Sequence, residues 1–89
     1  MELNLGHNLI DKVPSKALNN ALSLRRLYLN NNPIKVIHNH AFSNLKLLDI
    51  LSLTKCQIEI VENQAFTGLK SLKKLHLNGN KLRYVRLAF

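Results

Sequence analysis

Residues 24–48 read LRRLYLNNNPIKVIHNHAFSNLKLL. Leu27 and Leu29 alternate with Tyr28, an amide follows at Asn32, and Ile34, Ile37, Phe42, Leu45 and Leu48 complete an apolar set. The same spacing recurs along the chain at a step of 24 residues. Leu3, Leu27, Leu51 and Leu75 share one column, and Leu5, Leu29, Leu53 and Leu77 another. Ile10, Ile34, Ile58 and Leu82 follow, then Val13, Ile37, Val61 and Val85, then Ala17, Ala41 and Ala65. Leu18, Phe42 and Phe66 stand beside those alanines, and Asn8, Asn32 and Asn80 share a column in which Cys56 fills the remaining rung. So many columns held in register without an insertion mark an internal repeat, and repeats of this length bury a core only by stacking.

The spacing dictates the unit. Leu-x-Leu alternates with period 2, which turns Leu27 and Leu29 to one side of a short strand and Arg26, Tyr28 and Asn30 to the other. One strand per repeat, always running the same way, stacks into a parallel sheet. The rest of each repeat must bring the chain back to the next strand. Twenty-four residues leave no room for a long helix in that return, so loops, β-turns or 3₁₀ turns are expected there. A strand side more compact than the return side bends the stack into an arc. At the strand exit, backbone N–H and C=O groups would be buried without partners. A short amide both donates and accepts, so Asn8, Asn32 and Asn80 are read as a ladder that bridges neighbouring turns. Cys56 is small and a weak donor, and is read as a buried substitute in that ladder. A reactive or metal-binding thiol is the competing reading.

The pattern LxxLxLxxNxIxxIxxxAFxxLxx resembles the leucine-rich repeat. It is most similar to the 24-residue form of extracellular proteins such as Toll-like receptors, small leucine-rich proteoglycans and variable lymphocyte receptors. The resemblance covers essentially the whole chain. It implies an α/β-type repeat solenoid with a curved parallel β-sheet on its concave side. The expected organisation is a single domain, 1–89, made of a partial repeat 1–23, full repeats 24–47 and 48–71, and a partial repeat 72–89. The pattern breaks at the end, where Ala88 and Phe89 arrive one residue earlier than the period requires. Terminal repeats need polar caps, and extracellular members of the family carry cysteine-rich ones. With a single cysteine, this chain is expected to be a piece of a longer repeat array, prone to associate through its uncapped ends.

Little in the sequence points to chemistry. His38 and His40 flank Asn39 without a neighbouring cysteine or carboxylate in sequence, and His76 has no nucleophile at a useful spacing. The acids Glu2, Asp11, Asp49, Glu59 and Glu62 are scattered. There is no phosphate loop and no HExxH. The expectation is a non-enzymatic chain with no cofactor or metal. No stretch reaches the roughly 18 consecutive apolar residues that a membrane-spanning helix needs. No signal peptide and no Asn-x-Ser/Thr sequon are visible.

What remains is surface. The outward strand positions form rows: Glu2, Asn4 and Gly6; Arg26, Tyr28 and Asn30; Ile50, Ser52 and Thr54; Lys74, His76 and Asn78. Leucine-rich-repeat proteins typically bind partners through this face. The last three rows are therefore the candidate protein-binding residues, with an exposed Ile and Tyr beside cations. Charge is uneven along the chain. Residues 1–62 hold seven basic and five acidic residues, whereas residues 63–89 hold Lys70, Lys73, Lys74, Lys81, Arg83 and Arg86 and no acid. Such an end suits an acidic protein or a sulfated glycosaminoglycan. The five aromatics fall mostly in core phase, so nucleic acid is not expected. The resemblance implies a protein-binding module of an extracellular or cell-surface protein. The alternatives are an intracellular scaffold and a polyanion-binding fragment.

Overall fold

The computed structural model describes residues 1–85. Seven strands and one short helix follow in order: β1 (Glu2–Asn4), α1 (Ser15–Leu18), β2 (Arg26–Tyr28), β3 (Val36–Ile37), β4 (Ile50–Ser52), β5 (Ile60–Val61), β6 (Lys74–His76) and β7 (Tyr84–Val85). The Leu-x-Leu strands β1, β2, β4 and β6 form a four-stranded parallel sheet in that order. Its register is the sequence period: Leu3 pairs with Leu27, Leu27 with Leu51, and Leu51 with Leu75.

The return path carries the turns and loops expected of it, closed by bonds such as Ala41 N–H to His38 O and Leu45 N–H to Phe42 O, and adds short strands that the sequence did not announce. β3, β5 and β7 make a second, three-stranded parallel sheet, with Val36, Ile60 and Tyr84 in one register and Ile37, Val61 and Val85 in the next. The first repeat adds the single turn α1, and no 3₁₀ turn occurs among the described residues. The cause is translation. A stack that sets each strand one sheet spacing from its predecessor does the same for every other segment of the repeat. Backbone groups that a loop would leave to water can then pair with the next repeat, and β-branched residues favour the extended form there. The pairing of β7 with β5 carries the 24-residue register through Val85. The displaced Ala88 and Phe89 lie outside the described residues.

The core fills the space between the two sheets and the turns. Leu27, Leu29, Leu51 and Leu53 enter from the broad sheet, and Ile37 and Val61 from the narrow one; all are buried. The rings of Phe42 and Phe66 stack with centroids 6.1 Å apart and planes 9° apart. Leu18 occupies the equivalent buried position in the first repeat. Leu3, Leu5, Ile10 and Val13 at one end, and Leu72, Leu75 and Leu77 at the other, pack against this core but stay half-buried. Each is flanked by a repeat on one side only.

The strand exits are held by side-chain amides. Asn32, buried, donates through Nδ2 to the carbonyls of Leu5 and Leu29, both at 2.9 Å, and its Oδ1 accepts the N–H groups of Asn8 and Ile10, both at 3.1 Å. Asn80 repeats the pattern two rungs on, donating to Leu53 and Leu77 at 2.8 Å and accepting from Cys56 at 2.8 Å and Ile58 at 2.9 Å. Cys56 reproduces one arm of it: its thiol donates to Leu29 O at 3.1 Å. It offers no amide oxygen to the preceding repeat. The N–H of Ile34, whose counterparts in Ile10 and Ile58 are held by an amide, bonds instead within its own turn to Asn32 O at 2.8 Å.

A second regularity accompanies the ladder. His7, Asn31, Lys55 and Gly79 share one column, and all have positive φ, at 57°, 59°, 54° and 76°. This left-handed residue turns the chain out of the strand while its N–H still reaches the next repeat: His7 to Asn30 O, Asn31 to Thr54 O and Lys55 to Asn78 O, at 2.9–3.1 Å.

Two stability outcomes follow. Replacing Phe42 by Ala removes one of the two stacked rings and is expected to cost about 3–5 kcal/mol, enough to unfold much of so small a chain. A thermal melt matching that of the unmodified chain would refute the packing. Cys56→Asn supplies the missing amide in a site of similar size, and is expected to raise stability by about 1 kcal/mol. A lower denaturant midpoint would mean that the thiol's packing outweighs the absent hydrogen bonds.

Candidate partner-binding face

The side of β1, β2, β4 and β6 that faces away from the core carries two in-register rows. The first runs Glu2, Arg26, Ile50, Lys74 and the second Asn4, Tyr28, Ser52, His76. Adjacent members are about 4.8 Å apart across the sheet, so residues 24 apart in sequence become neighbours. Asn30, Thr54 and Asn78 continue the pattern just past the strand ends.

The chemistry of the face changes across it. At one edge Arg26 Nη1 lies 3.8 Å from Glu2 Oε1, and both side chains are about half exposed (53%). A pair this exposed adds little stability, but it compensates its own charge. In the middle, Tyr28 and Ile50 are half-buried rather than fully exposed, as the sequence had suggested. Ser52 departs furthest from expectation: at 8% exposure it is buried, although its strand position points outward. It sits in register between Tyr28 and His76, two far larger side chains, and a small side chain between rings is shielded from solvent. At the other edge Lys74 and His76 are exposed, with no ion-pair partner among the described residues. Just before the strands, Arg25, Asp49 and Lys73 align in the same way, and Asp49 Oδ1 is buried without a hydrogen-bond partner.

Elsewhere the stacking joins residues that the sequence kept apart. His38 Nδ1 lies 3.4 Å from Glu62 Oε1, and the same oxygen accepts the Asn39 N–H at 2.8 Å. His38 therefore has a carboxylate neighbour, supplied by the next repeat, where the local sequence showed none. The signal was available in the period, because His38 and Glu62 are 24 residues apart. Glu59 pairs with Arg83 at 3.3 Å for the same reason. Lys35 and Lys46 are exposed and lie off the broad sheet. Among the described residues no group of three His, Cys, Asp or Glu side chains comes together as a metal site. No described helix is long and apolar enough to cross a membrane.

A leucine rich repeat family model matches residues 1–58 and again residues 23–82. The chain belongs to the leucine-rich-repeat family, whose members generally act as non-enzymatic interaction modules. No curated protein matches the chain.

Cys56 illustrates how the ladder controls reactivity. It is fully buried, and burial pushes its thiol above the usual range, opposed by the backbone N–H groups of Asn32 and Asn31. The folded state therefore disfavours the thiolate more than the unfolded chain does. The thiol's contribution to stability is complete below the ordinary thiol range and is lost as pH rises through it toward the raised folded value. An aromatic disulfide reagent at about pH 8 is expected to leave the native thiol unmodified and to label it only as denaturant unfolds the chain. Rapid labelling before the unfolding transition would show that the rung opens locally.

Proposed function

We propose that this chain is a protein-binding module and that its partner docks on the outward side of the four-stranded sheet, the concave side of a leucine-rich-repeat arc. One observation carries the reading. The sheet sets Arg26 beside Ile50 in register and Tyr28 on the next outward position, diagonal to Ile50; Arg26 is exposed, and Tyr28 and Ile50 are half-buried. Tyrosine and arginine are among the residue types that most often anchor protein interfaces. The parallel register holds these side chains on rigid strands, so little freedom is lost when a partner binds. Asn30, Thr54 and Asn78 at the strand exits supply donors and acceptors for the rim, and Ser52 fills the floor between Tyr28 and His76. The 24-residue form of the repeat favours an extracellular or cell-surface setting over an intracellular scaffold.

Binders selected from a displayed random-peptide library against the immobilised chain provide the test. Arg26→Ala together with Tyr28→Ala is expected to weaken them by about 2 kcal/mol or more without unfolding the chain, since neither side chain enters the core. Lys35→Ala with Lys46→Ala should leave their affinity unchanged. Binders that respond to the second pair and ignore the first would move the site off the broad sheet.

A further inference from the structure

The two edges of the proposed binding face differ in charge, and that difference specifies the partner. Arg26 is matched by Glu2 across the first strand pair. At the opposite edge, Lys74 and His76 stand exposed with no carboxylate in ion-pair distance among the described residues. Lys73 precedes them and Lys70 lies close by, lining the same shallow groove as Asp49. Asp49 is the only acid lining that groove, between Arg25 and Lys73 in register, and offsets at most one of these cations. All five acids of the chain fall at or before residue 62, and Glu59 and Glu62 are engaged with Arg83 and His38. Internal compensation is thus available at the Glu2 edge and lacking at the Lys74 edge, while the apolar pair Tyr28 and Ile50 lies between them.

We propose that the partner is an acidic protein segment that seats an apolar or aromatic side chain on Tyr28 and Ile50 and sets its carboxylates over Lys73, Lys74 and His76. This rests on the reading of the four-stranded face as the binding surface. The charges steer approach and orient the segment, and the apolar patch supplies contact that a plain polyanion cannot use. The patch is what favours a protein over a sulfated polysaccharide, because a sulfated sugar chain has no apolar side chain to seat against Ile50.

The same peptide library, panned against the whole chain at low salt, decides the matter. Enriched peptides are expected to combine Asp or Glu with an aromatic or aliphatic residue. For a synthetic copy of such a peptide, the triple variant Lys73→Ser, Lys74→Ser, His76→Ser should lower affinity about tenfold. That effect should shrink as salt is raised from about 50 mM to about 500 mM. Circular dichroism checks that these exposed substitutions leave the fold intact. Peptides without an acidic excess, weakened by Tyr28→Ala but indifferent to the triple variant, would leave the face standing and overturn the acidic partner. Peptides indifferent to both sets would overturn the face as well. A heparin fragment that binds more tightly than any peptide, depends on the triple variant and ignores Tyr28→Ala would replace the acidic protein with a sulfated polysaccharide.

Discussion

The amide of Asn32 holds two repeats at once. Its Nδ2 takes the carbonyls of Leu5 and Leu29, and its Oδ1 takes the N–H groups of Asn8 and Ile10, with the amide itself buried. A chain that leaves a strand beneath a hydrophobic layer must satisfy such groups or forfeit the burial. One side chain does so here by reaching to the previous repeat. Because the reach of an amide is short, the two turns must superpose, and with them every segment of the repeat. The single period, the in-register leucines, the ring stack of Phe42 on Phe66 and the second sheet on the return path are consequences of that superposition. Cys56 shows the tolerance of the device: one donor arm is kept, the acceptor is lost, and the neighbouring N–H of Ile34 finds a local carbonyl.

The same constraint leaves one side of the broad sheet free. Its inward positions are committed to leucine by the core, whereas the outward positions answer to nothing inside the molecule beyond their strand neighbours. They therefore vary from rung to rung, from Glu2 to Arg26 to Ile50 to Lys74, without disturbing the fold. A scaffold of this kind separates stability from recognition. The columns that repeat carry the first, and the columns that do not repeat are where binding specificity can reside.

Much of the molecule was legible because its contacts are translational. A residue and its counterpart 24 positions on are neighbours by construction, so the core columns, the Asn ladder and the membership of the outward rows could be read directly from the chain. The pairs of His38 with Glu62 and of Glu59 with Arg83 obey the same rule and were equally readable. The column of left-handed residues was less so. His7, Asn31 and Gly79 are of types enriched at positive φ, but Lys55 in the same column does not advertise it.

Alternation and spacing are properties of the chain, and they dictate the period, the direction of every broad-sheet strand and which side chains turn away from the core. Only the tertiary structure decided that the return path would pair into β3, β5 and β7. Strand formation there depends on how closely successive returns approach, and that distance is set by the stack. Only the tertiary structure decided, too, that Ser52 is covered while Lys74 and His76 remain open. Exposure on a sheet depends on the sizes of cross-strand neighbours and the reach of their rotamers. Those quantities become definite only when strands 24 residues apart lie side by side.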